Sequence, residues 1–302
     1  MEAAMEKKNM EIQAINHQTI GQRLKSYKRS PLSLVLLLLV SVSALLTVLT
    51  LLFLIAYILI KGIPYLTPSL FAWEYTTENV SLMPALINTI LMTALSLVIA
   101  VPLGIFAAIY LVEYARRGNK IVEIVRITAE TLTGIPSIVY GLFGFLLFGV
   151  ALKWGYSMLG GALTLAIMIL PTIMRTTEEA LKSVPDSYRE GSFGLGAGRL
   201  RTVFQVVLPS AVPGILAGVI LAVGRIVGET AALMYTAGTV DGIPANIMGS
   251  ARTLSVHMYV LTNEGLYTNQ SYATAVVLLV IVVLIYALSG FIAKKITGKG
   301  IG

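Results

Sequence analysis

The sequence predicts an all-α integral membrane protein with six transmembrane helices and both termini in the cytoplasm. Three observations carry this prediction. The 302 residues are 56% hydrophobic and only 12% charged, with a mean hydropathy of +0.83, whereas soluble domains carry about 25% charged residues. Six long stretches contain no charged side chain, and most positive charges fall on one side of the resulting topology. A soluble globular protein is therefore excluded.

Each uncharged stretch is long enough to cross a bilayer as a helix. A hydrocarbon core about 30 Å thick requires about 20 apolar residues, and a helix satisfies its own backbone hydrogen bonds in lipid. The stretches are Leu32–Ile60, Leu82–Val112, Thr131–Leu152, Trp154–Met174, Thr202–Gly224 and Tyr272–Ala293. The first is too long for a signal-peptide core, so we expect it to remain as an anchor. One membrane domain over residues 31–295 follows, between a basic tail, residues 1–30, and a short tail, residues 296–302.

Glycines and prolines predict where the spans turn, break and touch. A tight turn around residues 153–161 should join the third and fourth spans, and Pro136, flanked by Gly134, can break the third span. Two glycine pairs have the small-xxx-small spacing that favours close helix contact, Gly214 with Gly218 and Gly224 with Gly228. We therefore expect the fifth span to pack closely on its neighbours.

Positive charges determine the predicted orientation, because Lys and Arg in short loops disfavour translocation. Of the 22 Lys and Arg residues, 18 lie at the termini and in the loops after the second and fourth spans, 3 lie in the opposite loops, and Arg225 lies inside a span. The termini and the loop over residues 178–205 are therefore expected in the cytoplasm, and the loops over residues 62–81 and 238–271 outside. The net charge of +7 reflects this topology and not nucleic-acid binding.

The residue inventory excludes several kinds of active site. There is no cysteine, and the only histidines are His17 in the polar tail and His257, expected in a solvated loop, so no thiolate or histidine cluster can form. The phosphate-binding pattern Gly-x-x-x-x-Gly-Lys-Ser/Thr is also missing, since Ala293 and Gly300 occupy two of its positions around Gly298–Lys299. We expect no cofactor, no metal site and no enzymatic activity, and any ATP hydrolysis must come from another chain.

The cytoplasmic loop contains a predicted short helix followed by a bend. Asp186 or Ser187 can cap a helix that begins near Pro185, and three glycines interrupt it, Gly194, Gly196 and Gly198. Because the next span begins soon afterwards, the short helix should lie across the membrane surface.

The spacing in this loop resembles the EAA loop of ABC importer permeases. That consensus is Glu-Ala-Ala, three residues, Gly, nine residues, Ile, one residue and Leu-Pro. The matching residues here are Glu190, Gly191, Ser192, Gly196, Val206, Leu208 and Pro209. Gly-Ser replaces Ala-Ala and Val replaces Ile, with the spacing kept. The resemblance implies a type I, MetI-like permease in which the loop docks in a cleft of a separate ATPase subunit.

Charged residues at membrane depth are the candidate substrate site, since each costs about 2.5 to 3.5 kcal/mol at a helix centre. Arg225 lies inside the fifth span with Glu229 one turn later, and Arg175 closes the fourth span before Glu178 and Glu179. They could form intrahelical ion pairs that only neutralise one another. Alternatively, two guanidiniums from neighbouring helices could form a bidentate, desolvated site for an oxyanion. Charge alone leaves both interpretations open.

Three strings are similar to those of phosphate-specific transport permeases, residues 130–144, 174–181 and 224–232. The resemblance implies that Arg175, Glu178 and Arg225 influence phosphate translocation, with Glu229 as a neighbour. Other segments, such as residues 61–66 and 102–111, favour the PstA-like member of the family over the PstC-like one.

The family resemblance also implies the partners. These are a PstC-like second permease, two PstB-like ATPase chains and an extracellular or periplasmic phosphate-binding protein, at a prokaryotic plasma membrane. Three alternatives stay open: a permease for sulfate, molybdate or phosphonate, an ion-coupled secondary transporter, and a non-transporting scaffold. The scaffold leaves Arg225 unexplained, and the inverted repeat common in secondary transporters is not visible.

Overall fold

The structure, a computed structural model, describes residues 31–116 and 118–298, and all regular secondary structure in these ranges is helical. The predicted basic tail over residues 1–30 lies outside the described residues, as do Arg117 and residues 299–302. Contacts divide the chain into two units, Met1–Tyr57 and Ile58–Gly302. In its described part, the first unit is one apolar helix.

The helices follow one another along the chain, and the two longest connections are residues 63–82 and 237–253. They are α1 Pro31–Gly62, α2 Met83–Ile109, α3 Lys120–Thr133, α4 Ser137–Gly144, α5 Met158–Lys182, α6 Asp186–Gly194, α7 Arg199–Thr202, α8 Leu208–Val227, α9 Ala231–Thr236, α10 Leu254–Glu264 and α11 Thr268–Gly298. Wider π-helical turns extend α2 over Tyr110–Tyr114 and α4 over Phe145–Ala151, and Val203–Val207 joins α7 to α8.

Within the described residues, five segments are long and apolar enough to cross a membrane. They are Leu32–Tyr65, Met83–Tyr114, Met158–Lys182, Arg199–Val227 and Thr268–Phe291. The third predicted span, Thr131–Leu152, falls on a pair of helices, α3 and the extended α4, which are bent by 104°. Pro136 has no backbone N–H and disfavours helical geometry in the residue before it, so the break falls where the sequence allows it.

Helix α3 begins at Lys120, inside the region that the charge count assigned to a loop. Asn119 caps it, because its side chain accepts a hydrogen bond from the Ile121 N–H at 3.0 Å. Its charges recur at helical spacing, at Glu123, Arg126 and Glu130. No long uncharged stretch indicates this helix, because it is amphipathic and not uniformly apolar.

Helix α5 is shifted towards the C-terminus relative to the predicted fourth span. Lys153 and Gly155 have positive φ angles of 58° and 63° and form the predicted turn. The Ser157 side chain then caps the helix by accepting the Gly160 N–H at 3.1 Å. The helix continues to Lys182, so Glu178, predicted as the start of the cytoplasmic loop, lies within it.

The predicted short helix and bend are present as α6 and the glycine-containing turn after it. The predicted caps are wrong, however: Pro185 occupies the N-cap position and no side chain caps the helix. Asp186 pairs instead with Arg189 at 3.2 Å. Gly196 has a φ of +83°, a conformation that side chains other than glycine rarely adopt.

Helices α5 and α8 pack antiparallel with their backbones close together. A Cβ atom on Gly214 would lie 2.6 Å from the Ala180 Cβ, and one on Gly218 would collide with the Thr176 hydroxyl. The predicted close contact is therefore present for this pair. In the second pair, Gly224 meets Tyr286 of α11, but a Cβ on Gly228 would meet no other helix.

The Gly218 contact leads to a stability prediction. Gly218→Leu should lower the thermal unfolding midpoint of the purified protein, because overpacking a close helix contact costs about 1 to 3 kcal/mol. Gly290→Leu in α11 is the matched control, since nothing lies within 4 Å of a Cβ built there. Equal midpoints for the two variants would contradict the packing described here.

Candidate functional site

Arg225 is a half-buried positive charge in the last turn of α8. It forms no hydrogen bond or ion pair with any residue in the described ranges. Tyr140 of α4, whose hydroxyl donates to the Leu132 carbonyl at 2.8 Å, forms no hydrogen bond with Arg225. Because an arginine remains protonated in proteins, α8 presents a cation that no described carboxylate neutralises.

The ion pair considered between Arg225 and Glu229 does not form. Helix α8 ends at Val227 and Gly228 is its C-cap, so Glu229 does not continue the same helical face. Its buried carboxylate accepts the Ala232 N–H at 3.1 Å, at the start of α9. Glu229 therefore fixes the turn between α8 and α9 and leaves Arg225 without a partner.

Arg175 and Glu178 point to different partners. The Arg175 side chain is 57% exposed and lies 3.3 Å from Glu179 and 3.6 Å from Glu130 of α3. Glu178 is buried and accepts from Arg126 Nε at 2.8 Å and from Lys182 Nζ at 2.5 Å. Of the two partners considered for Arg175, the structure thus selects Glu179.

The residues on α3 are the part of this site that sequence reasoning missed. They line, with α5, a cleft of about 240 Å³ that includes Arg126, Glu130, Arg175, Glu178 and Glu179. The charges at Glu123, Arg126 and Glu130 could have indicated this helix. Spacings of three and four residues place charges on one helix face, a pattern typical of a solvated helix.

The helix register places Arg175 and Arg225 at different depths. Gly218 of α8 contacts Thr176 of α5, and the two helices run antiparallel. Arg225 lies seven residues beyond Gly218, and Arg175 lies one residue from Thr176 in the same direction. At 1.5 Å per residue, the two backbones are separated by about 9 Å along the helix axes.

The EAA-like loop presents an exposed surface. Glu190 and Gly191 are exposed on α6, nothing lies within 4 Å of a Cβ on Gly191, and the Leu195 side chain is 91% exposed. Ser192 faces inward, and its hydroxyl lies 2.8 Å from that of Thr202 in α7. From there the chain enters α8 at its first two residues, Leu208 and Pro209. The loop therefore has one exposed face and one face fixed to the bundle.

Arg189 holds this loop to the rest of the bundle. Its side chain is 14% exposed and lies 2.7 Å from Glu113, in the extension of α2. It also donates to the carbonyls of Leu181 at 2.9 Å and Val184 at 2.8 Å. Sequence reasoning missed this pair, because 76 residues separate its members and no local pattern links them.

Besides the Arg189–Glu113 pair, a second set of buried polar side chains lies at the other end of α2. Arg252 is 4% exposed and His257 is 0% exposed, although the sequence placed both in a solvated outer loop. The Arg252 guanidinium lies 4.6 Å from the Tyr75 ring centre, and His257 meets the same ring edge-on. The Asn88 amide donates to the Arg252 carbonyl at 3.2 Å. We refer to Tyr75, Asn88, Arg252 and His257 as the outer cluster.

The His257 environment makes stability depend on pH. Burial, followed by the Arg252 charge, lowers the pKa of His257 from 6.5 to about 3, while the Val80 backbone opposes this weakly. Between these pH values the unfolded chain binds a proton that the folded chain does not, so stability should fall as pH drops from about 6.5. The wild-type melting temperature should therefore fall more steeply over this range than that of His257→Gln, and parallel curves would contradict a buried neutral histidine.

Residues 100–298 match the family of binding-protein-dependent transport system inner membrane components. The chain belongs to this family. It is thus a multi-pass permease component of a binding-protein-dependent ABC importer, and the matched region contains α5, α6 and α8 with all the predicted site residues.

Relatives of this permease include phosphate transport proteins. The probable ABC transporter permease YqgI of Bacillus subtilis is 36% identical over 233 residues, 70% of this chain and 77% of that protein. The phosphate transport system permease PstA of Pasteurella multocida is 41% identical over 180 residues, 59% of this chain and 63% of PstA. PstC of Mesorhizobium japonicum is 30% identical over 269 residues, 79% of this chain and 80% of PstC. The chain spans less than two thirds of the length of the PstA relatives that it matches.

Solved structures confirm the MetI-like permease fold. A chain of the MetNI methionine ABC transporter aligns with a TM-score of 0.57 at 21% identity, over 71% of this permease and 94% of that chain. A chain of a bacterial alginate ABC transporter aligns with a TM-score of 0.63 at 16% identity, over 91% of this permease and 99% of that chain. These likenesses show the fold alone, since both identities are below 25% and the two transporters carry different substrates, methionine and alginate.

Proposed function

We propose that the chain is the PstA-like permease subunit of an ATP-driven importer of inorganic phosphate and forms half of its translocation pathway. The half-buried Arg225, unpaired within the described residues, carries the proposal. A guanidinium at membrane depth is costly, and its planar donors match a phosphate oxyanion in a bidentate arrangement. The names of the PstA and PstC relatives support phosphate as the anion.

The pathway has two successive stations and not the single bidentate site considered from sequence. Phosphate first meets Arg225 and then Arg175, about 9 Å further along the helix axes. Arg175 is balanced by Glu179 and Glu130, at 3.3 and 3.6 Å, so an arriving anion exchanges with these carboxylates. Glu178 positions Arg126 and Lys182 at the same cleft.

A separate ATPase drives transport through the EAA-like loop. The exposed face of α6 and the following turn, with Glu190, Gly191 and Leu195, docks on a PstB-like ATPase, while Ser192 and Gly196 maintain the bend. Two ATPase chains, a PstC-like permease and an external phosphate-binding protein complete the importer. Both termini and α6 lie on the cytoplasmic side, as the charge distribution predicts.

Copurification followed by uptake measurements tests this function. The chain should copurify with an ATPase and a second permease, and labelled phosphate uptake should be competed by unlabelled phosphate but not by sulfate, molybdate or phosphonate. Equal competition by another oxyanion would reassign the substrate. Uptake that survives ATPase inhibition but stops when the ion gradient collapses would identify a secondary transporter instead.

A further inference from the structure

The outer cluster lies far from the loop proposed to contact the ATPase. Asn88 is near the start of α2, whereas Glu113, the partner of Arg189, is near its end. Their separation of 25 residues corresponds to about 37 Å along the helix. By the proposed topology, the outer cluster is on the side from which substrate enters.

Arg252 requires an anionic or accepting partner that the described chain does not supply. Its Nε and Nη2 groups are buried and donate no hydrogen bond, and no described carboxylate lies within 4 Å of the guanidinium. The Tyr75 ring covers its face but cannot accept these in-plane donors. A buried charge without a counterion strongly disfavours the folded state, so this arrangement indicates a site for an anion.

The neighbouring groups favour an oxyanion that carries protons. Asn88 uses its amide nitrogen to bind the Gly242 and Arg252 carbonyls, which leaves Oδ1 as a buried acceptor without a partner. His257 is neutral, and apart from a contact with the Val80 backbone its two buried ring nitrogens lack hydrogen-bond partners among the described residues. A neutral imidazole offers one donor and one acceptor. Phosphate ions retain P–OH groups that can donate to these acceptors, whereas sulfate has none at neutral pH.

The segment that covers Arg252 is strained. Val80 is fully buried with a φ of +45°, which is unfavourable for a β-branched residue. Tyr75, five residues earlier, lies over both Arg252 and His257. The adjoining surface cleft also contains Glu74 and Asp241, which repel a free anion. Loading therefore requires residues 73–81 to move.

We propose that Arg252, His257 and Asn88 form a binding site for a protonated tetrahedral oxyanion, covered by Tyr75 until residues 73–81 move. The identification of the anion as phosphate rests on the proposed function. The site is an entry station distinct from Arg225 and Arg175.

Arginine labelling of the full chain in lipid nanodiscs tests the site without requiring transport. Phenylglyoxal modification of Arg252, followed by mass spectrometry, should slow about tenfold at a phosphate concentration about ten times its Kd, because only unbound protein reacts. Sulfate at the same concentration should protect less, and exposed Arg201 should react equally in all conditions. Tyr75→Ala should accelerate Arg252 labelling and keep the protection by phosphate.

The outcomes separate this site from the proposed function. Phosphate protection of Arg252 that persists in Arg225→Gln, a variant expected to lack uptake, supports a distinct entry site. Phosphate protection of Arg252 in the wild-type chain, combined with no phosphate uptake by the wild-type importer complex, would overturn the proposed function alone. Three results would overturn the site: equal labelling with and without phosphate, protection by a binding protein but not by phosphate, or no labelling even in Tyr75→Ala.

Discussion

Replacing Arg225 with alanine should abolish phosphate uptake while the importer complex still assembles. The side chain is half-buried and unpaired within the described chain, so its loss removes a charge-assisted contact with the anion. Such a contact contributes up to about 3 kcal/mol, or roughly a 100-fold change in occupancy. Assembly should persist because no described residue depends on Arg225 for a hydrogen bond or an ion pair.

Labelled phosphate uptake and copurification of the partner subunits measure these two effects separately. Arg201→Ala is the matched control, because Arg201 is exposed on α7 and donates only to Gln205, at 2.9 Å. Arg225→Lys keeps the charge but loses the planar donor pair, so it should retain only part of the uptake. Normal uptake by Arg225→Ala would remove the site assignment.

Replacing Arg189 with methionine should uncouple ATP hydrolysis from transport. The change leaves the Glu113 carboxylate, 9% exposed, without its cation and removes donors from the Leu181 and Val184 carbonyls. Breaking one side of a buried pair costs about 3 to 5 kcal/mol. The attachment of α6 to α2 and α5 should weaken, so phosphate uptake per ATP hydrolysed should fall at least about tenfold, since 1.4 kcal/mol already corresponds to tenfold.

The ratio of phosphate accumulated to ATP hydrolysed, together with the thermal midpoint, measures this coupling. Asp186→Asn is the control, because Asp186 contacts the same guanidinium at 3.2 Å but its side chain is 77% exposed, and exposed pairs contribute about 0 to 1 kcal/mol. Adding Glu113→Gln to Arg189→Met should recover part of the lost stability, since no unpaired carboxylate remains. An unchanged coupling ratio in Arg189→Met would show that this ion pair does not link α6 to the pathway.

Features determined by local composition were predictable from the sequence. The length of the uncharged stretches identified α1, α2, α8 and α11, because any helix that crosses the bilayer needs an apolar stretch of this length. Pro136 identified the break in the third span, and Gly196 the turn after α6, because each residue restricts or permits specific backbone geometry. The spacing from Glu190 to Pro209 identified the importer family that the comparison confirmed.

Features that depend on contacts between distant residues were not predictable. Glu178 pairs with Arg126, and Arg189 pairs with Glu113. The two members of each pair belong to different helices, so no periodic pattern in the sequence indicates the pairing. The Arg225–Glu229 pair was one of two interpretations that helical spacing left open, but the helix ends at Val227. His257 was assigned to a solvated loop because a lone histidine far from His17 has no partner for a metal or catalytic cluster, whereas the fold buries it.

Accumulation of labelled phosphate by reconstituted proteoliposomes tests the central claim most directly. We expect ATP-dependent accumulation only when this chain, a second permease, the ATPase and the binding protein are all present, and we expect its loss when residues 190–196 are replaced by a flexible linker. Phosphate accumulation by the chain without an ATPase, or accumulation that is unaffected by replacing this segment, would contradict it.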